Sequence, residues 1–103
     1  MRYEKMDVYR CSIEFLVTAA KVVESSSRGY AALMDQLRRA SYSIPLNIAE
    51  AAGRTGDLDR KKHFAIARGS AMDCNAIFDV LQHLRVYADE GKPFSWQRTV
   101  ATD

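Results

Sequence analysis

The sequence predicts an all-α protein, an antiparallel four-helix bundle with three long helices and a short C-terminal helix. Three long segments carry apolar residues at three- and four-residue steps, the spacing that places side chains along one face of an α-helix. No segment shows the strict alternation of a half-buried strand. Short glycine-containing connections between the long segments favour antiparallel neighbours. The length of 103 residues fits one domain, predicted over residues 1–103.

The first helix is predicted over residues 7–24. Apolar residues form two adjoining stripes along it, one at Val8, Cys11, Phe15, Ala19 and Val22, and the other at Ile13, Leu16, Ala20 and Val23. One neighbouring helix cannot cover both stripes. We therefore expect this helix to be central in the bundle or to contact a second subunit. The polar segment 25–30 then separates it from the second helix.

The second helix is predicted over residues 31–52, with a proline inside it. Its core stripe consists of Leu33, Leu37, Ala40, Ile44, Ile48 and Ala51. Pro45 removes one backbone hydrogen bond and presses on the Ser41 carbonyl, at a cost of roughly 3 kcal/mol. We expect the hydroxyls of Ser41 and Ser43, or the Asn47 amide, to bond to carbonyls of the disturbed turn.

The third helix is predicted over residues 58–88, on the order of 45 Å long. Its core stripe consists of Phe64, Ala67, Ala71, Cys74, Ile77, Phe78, Leu81 and Leu84. Gly69 lies inside it and costs about 1 kcal/mol relative to alanine, which predicts close approach of another backbone. Residues 89–93 end this helix, and residues 94–103 are predicted to form the short fourth helix.

Basic residues are concentrated in the middle of the chain. The whole chain has a formal net charge of +2, but residues 38–68 hold seven basic residues against three acidic ones. These seven are the candidate nucleic-acid-binding residues: Arg38, Arg39, Arg54, Arg60, Lys61, Lys62 and Arg68. The alternative is that these residues simply lie on helix faces that are exposed to water. Zinc-finger spacing and a base-reading helix are both missing, so nucleic-acid binding would depend on shape and phosphate contacts.

The second helix also carries a polar stripe, beside its core stripe. Arg39, Ser43, Asn47, Glu50 and Arg54 follow one another at steps of three or four residues. One interpretation is that these polar groups set helix register or subunit contacts. The other is a surface for a ligand or a nucleic acid.

Candidate catalytic groups lack a local signature. His63, Ser70 and Asp73, or Cys11 and His63, have the residue types of a triad or dyad, but no nucleophile elbow is present. The pairs Asp59–His63 and Asp79–His83 lack the Glu-x-x-His pattern of di-iron bundles. We therefore predict a non-enzymatic protein without a metal or cofactor.

Two further expectations concern the cysteines and the location of the protein. Cys11 and Cys74 fall on apolar positions of predicted helices, so we expect two buried thiols and no disulfide. No signal peptide and no apolar run of about 20 residues is visible, which predicts a cytoplasmic protein that does not interact with a membrane.

Two motifs carry a resemblance to a known family. The segments "MDQLRRASYSIPLNIAEAAGR" and "HFAIARGSAMD" resemble the four-helix-bundle family of proteins encoded in intervening sequences of bacterial 23S ribosomal RNA genes. The chain is also similar to the accessory variability proteins of diversity-generating retroelements. Ala51 and Asp73 depart from the family pattern, which usually has glycine and glutamate there. The ten residues after Pro93 are also fewer than the usual fourth helix contains.

The resemblance implies a bundle that assembles into a ring of five without known enzymatic activity. The retroelement branch binds nucleic acid and works beside a reverse transcriptase. The residues that match the family pattern, expected where the second helix meets the third or a neighbouring subunit, are Arg38, Arg39, Ser43, Pro45, Asn47, Glu50, Arg54, Gly69 and Ser70. We expect a homo-oligomeric scaffold or binding module for structured RNA or DNA, or for a nucleic-acid-processing protein. The alternative is a purely structural or protein-interaction oligomer.

Overall fold

Three α-helices dominate the part of the chain that the computed structural model describes, residues 3–26 and 28–90. They are α1 (Asp7–Ser25), α2 (Ala31–Gly53) and α3 (Asp57–Glu90), and single 3₁₀ turns at Tyr3–Lys5 and Arg28–Tyr30 precede α1 and α2. These two ranges contain no strand. The all-helical prediction and the three long helices are thus confirmed. The predicted fourth helix, over residues 94–103, lies outside the described residues.

The central helix is α2, which packs against both α1 and α3. The rings of Phe15 on α1 and Phe78 on α3 meet edge to face, with their centroids 5.7 Å apart. The described part of the molecule is elongated, with principal extents of 53 × 28 × 21 Å. Its long dimension matches the 34 residues of α3 at about 1.5 Å per residue. One option predicted for the first helix was a central position in the bundle. Among the described helices, α2 holds that position.

The hydrophobic core follows the stripes predicted for the second and third helices with two exceptions: the prediction of a core Leu84 is wrong, since it is 36% exposed, and Met34, which was not predicted, is buried. Its buried members are Ala19, Met34, Leu37, Ile44, Ile48, Ala67, Cys74, Ile77 and Leu81. Partly buried side chains pack around them, among them Phe15, Phe64 and Phe78. The core residues of α3 recur at seven-residue intervals (67, 74 and 81), so they face α2 along a single line.

The stripe predicted for the first helix is wrong at its N-terminal end. Val8 is 50% exposed, and Cys11 is also exposed. The buried line of α1 runs instead through Ser12 and Ala19, two turns apart. Ser12 tolerates burial because its hydroxyl donates a hydrogen bond to the Tyr9 carbonyl at 2.6 Å. Cys11 lies about 100° round the helix from Ser12 and therefore faces outward.

The two cysteines are free and lie in different environments. Cys74 is fully buried, as predicted, whereas the prediction of a buried Cys11 is wrong. The expectation that the two form no disulfide is confirmed.

Helix α2 continues without a break across Pro45, which is buried. The Asn47 amide donates to the Ser43 carbonyl at 2.9 Å. The Ser41 hydroxyl donates to the Arg38 carbonyl, also at 2.9 Å. The predicted side-chain hydrogen bonds to carbonyls of this turn are confirmed for Asn47 and Ser41. Ser43, the third predicted donor, instead accepts the bond from Asn47 through its carbonyl oxygen.

Candidate functional site

A line of hydrogen-bonded polar side chains joins α2 to α3. We call Ser43, Asn47, His63 and Ser70 the polar seam. The Ser70 hydroxyl donates to the Ser43 hydroxyl oxygen at 2.8 Å. The Asn47 amide donates to the same oxygen at 3.0 Å. The seam therefore places three of the family-pattern residues, Ser43, Asn47 and Ser70, in direct contact across the two helices.

His63 completes the seam from the α3 side. Its Nδ1 lies 3.1 Å from the Asn47 Oδ1, and the side chain is only 14% exposed. Because the Asn47 amide nitrogen already donates to Ser43, the oxygen faces His63, and the Nδ1 atom of the ring must carry the proton. The His63 Nε2 lies 4.0 Å from the Asp59 carboxylate. His63 thus contacts α2 through Nδ1, while its Nε2 faces Asp59 one turn earlier on its own helix.

These bonds account for the groups considered above as catalytic candidates. The Ser70 hydroxyl bonds to Ser43, and the His63 ring faces Asn47 and Asp59. Asp73 is exposed on α3. His63, Ser70 and Asp73 therefore do not form the hydrogen-bonded relay that a triad requires.

An exposed ion-pair network closes the corner between α2 and α3. The Arg54 guanidinium lies 3.0 Å from Glu50 and 3.5 Å from Asp59. The Arg60 guanidinium donates to the Arg54 carbonyl at 3.1 Å and lies 3.5 Å from Asp57. Since these side chains are between 41% and 85% exposed, each pair is worth at most about 1 kcal/mol. Glu50 and Arg54 thus extend the seam into solvent without dominating its stability.

The seven candidate nucleic-acid-binding residues fall into two groups. Arg38 and Arg39 share the Asp35 carboxylate at 3.5 and 3.1 Å, and Arg54 and Arg60 are paired as described. Lys61, Lys62 and Arg68 are exposed on α3 and have no ion pair among the described residues. The uncompensated positive charge of the central segment therefore lies on residues 61–68 of α3.

Gly69 does not lie against another backbone, as its predicted role requires. A Cβ atom built on it would meet nothing within 4 Å, and the residue is exposed. The predicted close approach of another backbone is wrong within the described chain, because Gly69 lies about 160° round α3 from the core residue Ala67.

Sequence reasoning did not assign His63 to the seam, nor Asp59 to the contacts beside it. The signal for His63 was available: it precedes Ser70 by seven residues and therefore lies on the same face of α3, two turns earlier. Asp59 is one turn before His63 and contacts both His63 and Arg54.

Cys74 is the one described group whose acidity the fold clearly shifts. Burial, with a smaller contribution from the Asp73 carboxylate, raises the pKa of the Cys74 thiol. The thiol therefore stays protonated at neutral pH. Over residues 3–26 and 28–90, no group of three or more His, Cys, Asp or Glu side chains is arranged to hold a metal ion. No helix in these ranges is long and apolar enough to cross a membrane.

A protein-family model covers most of the chain. The model described as 23S rRNA-intervening sequence protein matches residues 4–93 of the 103. The match spans the polar seam, the ion-pair network and all seven basic candidates. No curated protein and no solved structure matches the chain significantly.

Proposed function

We propose, because the chain belongs to the 23S rRNA-intervening sequence protein family, that it is a non-enzymatic, self-associating helical scaffold in the cytoplasm. It binds structured nucleic acid, or a partner that processes nucleic acid. The ring of five and the kinship with the accessory variability proteins of retroelements belong to the same proposal. The family match supports a role connected with RNA, and the charge distribution on α3 suggests where contact occurs.

The observation that carries the nucleic-acid part is the set of unpaired cations on α3. Lys61, Lys62 and Arg68 have no carboxylate partner among the described residues, whereas the other four candidates do. The charge of a paired cation is partly neutralised by its carboxylate, whereas an unpaired one only displaces water and counterions when it contacts a phosphate. We therefore assign phosphate contacts first to these three residues. Such contacts give affinity without reading base sequence.

The second candidate function is a structural or protein-interaction oligomer without nucleic-acid binding. Exposed apolar side chains favour it, notably Leu46, Leu58 and Met72. Large apolar side chains that remain in solvent are candidates for burial against another protein.

The test compares two charge reversals that change the net charge equally. The variant Lys61→Glu/Lys62→Glu alters the proposed surface. The matched control, Lys5→Glu/Lys21→Glu, alters two exposed lysines that precede α2. Binding to a pool of structured cellular RNA is measured by filter retention from 50 to 300 mM salt, and circular dichroism checks that both variants remain helical.

We expect wild-type affinity to fall steeply with salt. The α3 reversal should weaken binding and lower the salt slope by about one for each phosphate that the variant no longer binds. The control should bind almost as the wild type does. Equal behaviour of the two variants, or no binding at the lowest salt, would reject the nucleic-acid proposal and favour the structural oligomer.

A further inference from the structure

Two unpartnered polar side chains line a groove between α2 and α3 in the described part of the chain. The groove has a volume of about 560 Å³, and its lining consists of Gln36, Arg39 and Ala40 on α2 with Asp73, Ala76 and Ile77 on α3. The Gln36 amide and the Asp73 carboxylate make no hydrogen bond or ion pair over residues 3–26 and 28–90. An apolar groove with a few available polar groups has the usual composition of a ligand site.

Arg39 adds a planar cation to this lining. One guanidinium nitrogen, Nη2, lies 3.1 Å from the Asp35 carboxylate, and the side chain is 71% exposed. Because the guanidinium N–H bonds all lie in one plane, this ion pair occupies an edge of the group and leaves its faces open. The face of a guanidinium is a surface on which an unstacked nucleobase can stack.

An open line along α3 leads from the groove to Lys62, one of the three unpaired cations. At about 100° per residue, Lys62, Gly69 and Asp73 fall within about 40° of one another round the helix. Lys62 and Asp73 are about 16 Å apart along its axis. Gly69 lies between them and is exposed, and a Cβ atom built on it would meet nothing within 4 Å. The missing side chain leaves room for the backbone of a ligand to come close.

We propose that the groove binds an unpaired guanine base from a loop of a bound RNA, an inference that rests on the nucleic-acid binding in the proposed function. An ionised carboxylate only accepts hydrogen bonds. Guanine is the RNA base whose Watson–Crick edge carries two adjacent N–H donors, at N1 and N2, and these match the two oxygens of Asp73. The Gln36 amide supplies a donor for the guanine O6. Bases in loops are available for such contacts because they are unstacked and unpaired.

The remaining groups hold the ring and the strand. The aliphatic side chains of the groove pack against the base, and the Arg39 guanidinium stacks on it. The strand then passes over Gly69, and a phosphate reaches Lys62. Since Asp73 repels phosphate, the groove favours entry of a base over entry of the RNA backbone.

Four hairpin RNAs test the base preference. They share one stem and one uridine-rich loop, and they differ at a single central loop position, which is G, A, C or U. Binding to the wild-type protein is measured by fluorescence anisotropy at 50 mM salt. We expect the G hairpin to bind at least about fivefold more tightly than the others, the lower end of what a bidentate base contact provides.

Two results would overturn this inference and leave the nucleic-acid proposal standing. One is equal binding of all four hairpins. The other is retention of structured cellular RNA without binding of any hairpin. A protein that binds neither cellular RNA nor hairpins would reject the proposed function, and this inference with it.

The variant Asp73→Asn separates base reading from general affinity. An amide offers one acceptor and one donor group in place of two acceptor oxygens, so the preference for G should disappear. Binding of the U hairpin should persist, because the variant loses a negative charge and no cation. The matched control, Asp79→Asn, makes the same charge change at an exposed position about 120° round α3 from Asp73, and it should keep the preference. Loss of the preference in both variants, or in neither, would contradict the assignment.

Two further variants test the path of the strand. Lys61→Glu/Lys62→Glu should weaken all four hairpins by a similar factor, because phosphate contacts do not read bases. Gly69→Leu should also weaken all four, whereas Gln82→Leu, at another exposed position of α3, should bind as the wild type does. Equal binding by the two leucine variants would contradict the path over Gly69.

Guanosine monophosphate distinguishes a base in RNA from a free nucleotide. It lacks the strand that reaches Lys62, so it should displace the G hairpin only at concentrations far above the Kd of the hairpin. Displacement at concentrations close to that Kd would overturn the assignment to RNA in favour of a free guanine nucleotide.

Discussion

The Nδ1 atom of His63 lies 3.1 Å from the Oδ1 atom of Asn47, and this contact ties α3 to α2 inside the polar seam. Apolar side chains alone tolerate a shift of one helix along another, because they have no directional bonds. A row of donors and acceptors does not, because a shift of one turn would leave partly buried groups without partners. We infer that the seam sets the register of α3 against α2, and with it the position of Lys61, Lys62 and Arg68.

Replacement of Asn47 should destabilise the fold. Asn47→Ala removes the acceptor of His63 and two hydrogen bonds to Ser43. We expect the free energy of unfolding to fall by about 1–3 kcal/mol, because partly buried polar groups lose their partners. Urea unfolding followed by circular dichroism measures it. Asn75→Ala, at an exposed position of α3, is the matched control and should be neutral or slightly stabilising, since alanine favours helix. Equal losses in the two variants would refute the seam's role.

The hydroxyls of Ser43 and Ser70 should be energetically coupled across the helices. The Ser70 hydroxyl donates to the Ser43 oxygen at 2.8 Å. A double-mutant cycle with Ser43→Ala and Ser70→Ala should give a coupling energy of about 0.5–1.5 kcal/mol. A cycle that pairs Ser70→Ala with Thr18→Ala, on α1, is the control and should show additive effects. Additivity in the serine cycle would mean that the bond contributes nothing to stability.

The two cysteines should differ in reactivity. Cys11 is exposed, whereas Cys74 is buried with a raised pKa. A thiol reagent at pH 8 should therefore label one thiol rapidly in the folded protein and the second only after unfolding. Cys11→Ser should abolish the rapid phase. Two thiols reacting at the same rate in the native protein would contradict the buried position of Cys74.

The raised pKa of Cys74 also gives stability a pH dependence. Above the ordinary pKa of a thiol, about 8.5, the unfolded chain releases a proton that folded Cys74 retains. The folded state then binds more protons, so this residue lowers the free energy of unfolding as the pH rises from that value through the folded pKa. Urea midpoints at pH 7 and pH 9.5 measure the trend. Cys74→Ala should show a smaller difference between the two midpoints, and an unchanged difference would assign the trend to other groups.

Substitutions at Gly69 should be tolerated, because this position is open to solvent. The residue is exposed within a helix, and an added Cβ meets no atom within 4 Å. Gly69→Ala should raise the free energy of unfolding of the diluted protein by about 0.5–1 kcal/mol. Gly69→Leu should also be tolerated, because the position is exposed and open. Destabilisation of the diluted protein by Gly69→Ala would contradict the open environment of this position.

Helix positions and most of the core could be predicted from the sequence because both depend on local spacing. The predicted bounds of the three long helices lie within two residues of those observed, and the stripe of α2 continues across Pro45 as expected. The first helix was less well predicted. It has apolar residues on more than one side, and periodicity does not say which side faces α2, so the burial of Ser12 and the exposure of Cys11 were not predicted.

By itself, the sequence determined the helical class, the bounds of the three helices, the basic middle segment and the family motifs. Only the tertiary structure decided which polar groups meet. His63 and Asn47 are 16 residues apart, and their contact depends on the register and rotation of two helices. It also decided that four of the seven basic residues have carboxylate partners, that the other three have none within the described ranges, and that Gly69 faces away from the core. Helical periodicity is local, whereas the pairing of charges and the direction of a helix face depend on which helix lies alongside.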